Sequence, residues 1–327
     1  GAGRFPSIIS ASRSDAFMLN TQSSASAAGA CRPKKSRTKS PWGSQGKVAA
    51  LFLAPYLIIF TIFRFGPSVA GIFISFTKWD LAGKPVFVSF DNFKRLLTDS
   101  NFHVSLRNTL IFFVLTLPPL ILFSLLLAIF LNQKMHGRNV GRAIAIIPYV
   151  LIPAVVGIIW NWMYDDNFGI LNYYLKQMGS PSVHWITSSK TALASVAVVV
   201  VWTYIGYNMV LFLAGLQGIP NELYEASQID GASKTQTFFK ITLPMLKPIT
   251  SMVITLTLVN TVQLFDQIYV MTNGGPGTST LTMVQYLYTS AFQNYELGYG
   301  STIEIAILII LVLIIWIQNR LMKSEEM

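Results

Sequence analysis

Six apolar stretches set the terms for this 327-residue chain, at about 48–66, 105–131, 142–163, 191–216, 249–271 and 301–319. Each supplies roughly the 20 residues that ~30 Å of hydrocarbon requires, or somewhat more if tilted. Helices are the expected form, because a helix satisfies its own backbone hydrogen bonds in lipid. The stretches also lack the period-2 alternation of barrel strands. Any one of them alone could be a buried helix of a water-soluble protein. Six together could not, because only 12% of the residues are charged and 52% are apolar, too little charge to cover a soluble core of this size. The mean hydropathy of +0.51 agrees. The predicted fold class is therefore an all-α membrane protein, a bundle of six transmembrane helices. Pro55, Pro118, Pro119, Pro148 and Pro153 fall inside spans. They are expected as kinks, since neighbouring helices and Ser/Thr hydroxyls take over the carbonyls a proline frees.

The net charge of +10 would suggest nucleic acid in a soluble protein. Here it follows the bias of Lys and Arg toward cytoplasmic loops, and no nucleic-acid partner is expected. With six spans both termini share one side. Arg64, Lys78, Lys84, Lys94, Arg95, Arg107, Lys176 and Lys190 fall on the other, leaving sixteen of the 24 basic residues on the terminal side. The terminal side is predicted to be cytoplasmic. Trp79, Trp160, Trp162, Trp185 and Trp316 fall near span ends, where interfacial aromatics gather.

Residues 1–46, rich in Ser, Ala, Gly and basic side chains, read as a disordered cytoplasmic tail without a secretory cleavage site. Residues 323–327 read as a short C-terminal tail. The membrane-spanning body is 47–322. Outside the membrane fall 67–104, with "VSFDNFKRLL" as an amphipathic surface helix, and 164–190 and 272–300. Cys31 stands alone, and His103, His136 and His184 are far apart, so neither an intrachain disulfide nor a Cys/His metal site is expected.

The long cytoplasmic loop 217–248 is the most informative segment. It reads as two short helices around a sharp turn: Pro220 at the first helical position, Asp230-Gly231 as a left-handed stop, and Ser233 with Gln236 as a capping box. Pro244 is expected to end the second helix. Glu225-Ala226-Ser227, three residues, Gly231, nine residues, Ile241, Thr242, Leu243-Pro244 then gives a spaced pattern. It resembles the Glu-Ala-Ala signature of permease subunits in binding-protein-dependent ABC importers, with Ser227 for the second Ala. "FDQIYVMTNGGPGTST" (Phe265–Thr280), "VWTYIGYNMVLFLAGLQGIP" (Val201–Pro220) and "FDNF" (Phe90–Phe93) are similar to the carbohydrate branch of that family, which includes maltose, lactose, raffinose and glycerol-3-phosphate permeases.

The resemblance covers about 48–322 and implies a type I importer bundle with a cytoplasmic coupling helix. It implies a second homologous permease subunit, two ATPase subunits that hold ATP and Mg, and an extracytoplasmic solute-binding protein, all in a bacterial inner membrane. It also implies an ATPase-coupling role for Glu225, Ala226, Ser227, Asp230, Gly231, Leu243 and Pro244. The chain has no G-x-x-x-x-G-K-[ST] loop, so no enzymatic activity, cofactor or metal is expected in it. Gly274-Gly275-Pro276-Gly277 reads as a tight turn.

A sugar path needs hydrogen-bonding side chains and aromatic faces. Asn260, Gln263, Asp266 and Gln267 would fall within about 120° on a helix of ~100° per residue. Asn260, Gln263 and Asp266, with Tyr204 and Asn208 of the fourth span, are the candidate substrate path; interhelical hydrogen bonding is the competing reading, and for Asp266 and Gln267 so is a gating role. Trp202 and Tyr207 divide the same way. Glu304 is expected to pair with a base or line the path, and Arg64 to snorkel from the outer end of the first span. The alternative function is a secondary transporter driven by an ion gradient. It calls for buried ionisable pairs and inverted halves, and the chain shows few such residues and no clear repeat. A membrane enzyme or receptor would need a catalytic cluster or ligand domain, and neither is visible.

Overall fold

The structure, a computed structural model, describes residues 44–80 and 82–323. Nearly all of the expected tail, Cys31 and residues 324–327 lie outside them. Two compact units are separated between Ile59 and Phe60. The described part of the first is residues 44–59, all but the last residue of helix α1 (Ser44–Phe60), which begins inside the stretch expected to be tail and contains Pro55.

The second unit opens with a π-helical turn, Thr61–Phe65, and α2 (Gly66–Ile74). The first span was expected to end at 66. Because the helix runs on to Ile74, Arg64 lies ten residues inside it and not at its end. A two-residue hairpin follows, β1 (Thr77–Lys78) antiparallel to β2 (Val86–Phe87), a small departure from an all-helical chain. Then come α3 (Asp91–Thr98) and the long α4 (Ser100–Asn132). Asp99 caps α4 by accepting from the Asn101 N–H at 2.9 Å. Pro118 and Pro119 do not break α4; nearby, Thr116 Oγ1 bonds the Phe112 carbonyl at 2.8 Å.

The third apolar stretch folds as two helices, α5 (Arg138–Val150) and α6 (Pro153–Met163), bent by 97°. Leu151 ends α5 with an extended ψ of 147°, and Ile152, which precedes a proline, is extended too, with ψ 126°, before α6 begins. After α7 (Ile170–Gln177), α8 (Ala192–Gln217) crosses without interruption. The long loop holds α9 (Asn221–Ile229), α10 (Lys234–Thr237), a π turn Phe238–Thr242 and α11 (Leu243–Met245). Next are α12 (Lys247–Val262), α13 (Asp266–Met271), α14 (Met283–Tyr288), a π turn Thr289–Gln293 and α15 (Leu297–Lys323). Among the described residues, four helices are long and apolar enough to cross a membrane: Val48–Ile74, Ser100–Asn132, Ala192–Gln217 and Leu297–Met322. The number rises to six if each of the bent pairs Arg138–Val150 with Pro153–Met163, and Lys234–Met245 with Lys247–Val262, is one span.

Helix α4 carries small buried side chains at nearly every fourth position, Ser105, Thr109, Thr116, Ser124 and Ala128. Thr109 Oγ1 accepts from the Met283 N–H at 3.1 Å, and farther along α4 packs on α8, where Ala128 shares a buried cluster with Met209 and Phe212. Lipid offers little hydrophobic drive between helices, so close van der Waals approach and interhelical hydrogen bonds hold such a pair. Ser124 Oγ supplies one bond, to the Ile205 carbonyl at 3.0 Å. The backbones come close at Gly206 of α8, where a Cβ would stand 1.8 Å from the Ala145 carbonyl oxygen of α5. Three buried clusters run along the unit. One joins Phe102 to Met283 and Ile303, one joins Phe112 and Val156 to Ile268, and one joins Phe212 to Leu246 and Val253.

Candidate functional site

The 217–248 loop folds as a compact hairpin of short helices. Pro220 is the cap residue of α9 rather than its first helical residue, because its ψ of 134° is extended. Helix α9 closes with both bonds of a Schellman motif: Ala232 N–H to Ser227 O at 2.9 Å and Gly231 N–H to Gln228 O at 3.1 Å. Gly231 takes φ +73°, the left-handed conformation expected of it, with no atom within 4 Å of where a Cβ would sit. The capping box of α10 forms in both directions, Gln236 N–H to Ser233 Oγ at 3.3 Å and Ser233 N–H to Gln236 Oε1 at 2.8 Å.

Ser227, the departure from Glu-Ala-Ala, has a structural role. Its hydroxyl donates to the Tyr224 carbonyl at 2.8 Å and meets Thr237 Oγ1 at 3.3 Å, tying α9 to α10. Tyr224 OH reaches Thr242 Oγ1 at 3.2 Å. Glu225, Ala226, Asp230 and Pro244 are exposed and Leu243 is half-buried. Pro244 does not end the helix. The preceding π turn, in which Leu243 N–H reaches back to Phe238 O, leaves room for the ring, and the chain bends by 62° between Met245 and Lys247 instead. A cavity of about 600 Å³ separates the hairpin from the ends of α4 and α8, with Asn132, Gln133, Ser227, Gln228 and Lys234 in its wall.

The polar stripe of the fifth apolar stretch is not one helical face. The helix breaks across Gln263–Phe265, so α12 and α13 are separate. Asn260, Gln263 and Asp266 are exposed, while Gln267 is 1% exposed with neither amide atom hydrogen-bonded. Tyr204 is half-buried, its ring 5.6 Å from that of Tyr149, which stacks on Tyr207 at 4.5 Å. Trp202 is exposed and meets Trp160 at 5.5 Å. Asn208 is 2% exposed and donates to Thr257 Oγ1 at 3.0 Å, linking α8 to α12. It lines a cavity of about 10 Å³ with Tyr204, Thr257 and Asn260, room for about one water. Asn260, Gln263 and Asp266 are thus each exposed, whereas Asn208 and Gln267 lie inside. Glu304 is exposed, its Oε2 3.5 Å from where a Cβ on Gly71 would sit.

The bundle end opposite the hairpin carries a cluster that sequence reasoning missed. Asp99 accepts hydrogen bonds from the hydroxyls of Tyr286 and Tyr299. Arg95 forms a two-pronged bond to Glu296 at 2.9 and 2.8 Å and stacks 3.9 Å above the Tyr299 ring. Burial alone would raise the Asp99 carboxyl, but the bonds from both tyrosines and two backbone N–H groups hold it below the usual carboxylate range. Burial and the Asp99 bond push Tyr286 up to about 12. Asn92 of "FDNF" bonds the Ser75 and Thr77 carbonyls at 2.8 and 2.9 Å, and Phe90 and Phe93 ring Phe76. The Gly274–Gly277 turn is pinned by Asn108 of α4, whose amide donates to the Thr278 and Leu281 carbonyls. No signal in the sequence marked these pairings, whose partners are up to 201 residues apart.

Small-residue helix seams and long apolar helices make this a membrane-embedded helical bundle that carries a capped helical hairpin. The chain belongs to the family of inner membrane components of binding-protein-dependent transport systems, whose model matches residues 105–324. It is 36% identical over 277 residues to the arabinooligosaccharides transport system permease protein AraP of Bacillus subtilis (strain 168), covering 84% of this chain and 88% of that protein. It is 33% identical over 282 residues to the sn-glycerol-3-phosphate transport system permease protein UgpA of Agrobacterium fabrum, covering 84% and 94%. A chain of the crystal structure of a bacterial ABC transporter for import of the acidic polysaccharide alginate superposes with a TM-score of 0.75 at 22% identity, covering 86% of this chain and 96% of that one. The fold is therefore of the type I ABC importer kind.

Proposed function

We propose that this chain is one of two related membrane subunits of an ATP-driven importer for a sugar or oligosaccharide. An extracytoplasmic binding protein delivers the solute, and two separate ATPase subunits hold ATP and Mg. Both termini and the 217–248 hairpin face the cytoplasm, in keeping with the charge bias along the sequence. The observation that carries the reading is the hairpin: a rigidly capped pair of helices whose acidic residues Glu222 and Glu225 are exposed for a partner. Closure of the ATPase pair pushes on α9, and α11 passes the push to α12. The solute crosses by alternating access along the surface that exposes Asn260, Gln263 and Asp266. Polar side chains within spans usually face a bundle interior or a water-filled path rather than lipid, which supports such a setting for these three. The relatives that carry arabinooligosaccharides, glycerol phosphate or alginate by name support a carbohydrate-type cargo.

The test is reconstitution with the ATPase, the second permease and the binding protein in proteoliposomes. Saccharide uptake that needs internal ATP and external binding protein is the expected result. Uptake driven by an ion gradient without ATP would overturn the reading.

A further inference from the structure

The cavity between the hairpin and the ends of α4 and α8 has a volume of about 600 Å³, within the range of small-molecule sites. Both of its walls belong to this chain, one made by α9 and α10 and the other by the ends of α4 and α8. The acids of the hairpin, Glu222, Glu225 and Asp230, are not in the wall. Among the described residues that line it, Lys234 is the one ionised side chain. The amides of Gln228 on the hairpin side, and of Asn132 and Gln133 on the α4 side, bring further N–H donors. Tyr224 and Thr242, both in the wall, meet hydroxyl to hydroxyl at 3.2 Å. Two O–H groups share that one bond, so one of them is left to donate elsewhere.

Such a wall selects by charge and by number of acceptors. A cation would meet Lys234 as a like charge, and a neutral molecule would leave the ammonium without a counter-charge. An oxyanion answers the ammonium and the amide N–H groups together, and charge-assisted bonds of that kind are roughly twice as strong as neutral ones. Donors come from three places: Lys234, Gln228 and the Asn132–Gln133 end of α4. That suits the three terminal oxygens of a phosphate monoester better than the two of a carboxylate or of a lipid phosphodiester. The volume leaves room for a small polyol on the phosphate, whose hydroxyls take the remaining polar groups.

We propose that the cavity binds a phosphate monoester of a small polyol, of the sugar phosphate class. The ligand bridges Lys234 and Gln228 of the hairpin to Asn132 and Gln133 of α4 and holds the hairpin against the span. Its effect on transport rests on the importer reading: a hairpin held in this way passes less of the ATPase's push to α12, and uptake per ATP falls.

The chain is purified with its copurifying subunits in phosphatidylcholine nanodiscs, without binding protein, and titrated with labelled glucose-6-phosphate. Glucose and glucuronate serve as competitors. Saturable binding is expected, with glucose not competing and glucuronate competing weakly. Lys234→Gln should raise Kd about ten- to hundredfold, the range of one hydrogen bond to a charged group, while Lys234→Arg retains binding. Gln133→Ala should raise Kd about two- to tenfold, and on the far wall it keeps the test open if Lys234→Gln loses its subunits. In proteoliposomes, internal glucose-6-phosphate should lower ATP-driven saccharide uptake by the wild type but not by Lys234→Gln. An unchanged Kd in both Lys234→Gln and Gln133→Ala would overturn the site. So would equal competition by glucose, or a response only to phosphatidylglycerol added to the nanodisc. Lys234-dependent binding to which uptake is indifferent would overturn the hold on the hairpin. Binding is read without transport, so a wild type that fails to import any saccharide sinks the importer reading and leaves the binding result standing.

Discussion

Replacing Gly231 by alanine isolates the backbone requirement of the hairpin. The residue holds φ +73° at the end of α9, and an added Cβ meets nothing within 4 Å. The whole cost is therefore conformational, about 1–2 kcal/mol for an L-residue in the left-handed region. Two Schellman bonds depend on that conformation, from Gly231 N–H and Ala232 N–H. A loss of 1–2 kcal/mol lowers the ratio of latched to unlatched hairpin about five- to thirtyfold. Gly231→Leu should be no worse than Gly231→Ala, because there is open space for the side chain. Gly231→Asn should lose least, since Asn tolerates this region. The assay is saccharide uptake per ATP hydrolysed by the reconstituted complex, with copurification of the ATPase alongside. The order wild type, Asn, then Ala with Leu is expected. Full coupling in both Gly231→Leu and Glu225→Ala, or an Asn variant as impaired as Ala, would show that this turn does not carry the transmission.

Three further outcomes follow from other parts of the structure. Gly206→Val should abolish accumulation of folded protein, because its Cβ would stand 1.8 Å from the Ala145 carbonyl oxygen; a normal yield by size-exclusion chromatography would contradict the α5–α8 contact. Replacing Asn260 and Gln263 together by Leu should reduce uptake while leaving ATPase association intact, each single change removing hydrogen bonds worth about 1 kcal/mol; unimpaired uptake by the double variant would make the pair structural. The Asp99 carboxyl is lowered in the folded chain, so its stabilising contribution is full above the ordinary carboxylate value of about 3.9 and fades as pH falls through the lower folded value. Asp99→Asn should remove that part of the acid-induced loss, read as the pH dependence of the thermal midpoint in detergent, and an unchanged acid limb would count against it.

Much of this chain could be read from local chemistry. Apolar stretches located the long helices, four of them long and apolar enough to cross a membrane among the described residues, since a preference for lipid is written into residue type. Ser233, Gln236 and Gly231 announced their turn because caps and left-handed residues act within a few positions. What escaped was set at long range or by tolerance. Pro118 and Pro119 stay inside an unbroken α4, whereas the chain parts at Gln263–Phe265 with no proline or glycine to signal it. The polar stripe drawn on an ideal helix accordingly split, with Gln267 turning inward. Arg64 was misplaced because the helix outlasts the minimum needed to cross. The Arg95–Glu296 and Asp99–Tyr286 pairings join segments roughly 190 to 200 residues apart, for which one sequence offers no cue.

The two breaks, before Pro153 and before Asp266, are at matching depth. Gly157 and Val270 each lie four residues beyond a break, and a Cβ on Gly157 would stand 3.0 Å from the Val270 side chain. Asn161 fastens the same pair with a bond to the Val270 carbonyl at 3.2 Å. Helices α6 and α13 are thus clamped to each other beyond two interruptions that lack continuous helical bonding. Bending stiffness in a rod is lost where its internal ladder is cut. Two rods cut at one level and clasped above the cut share a single crease, so the clasped halves swing together like one leaf of a folding screen.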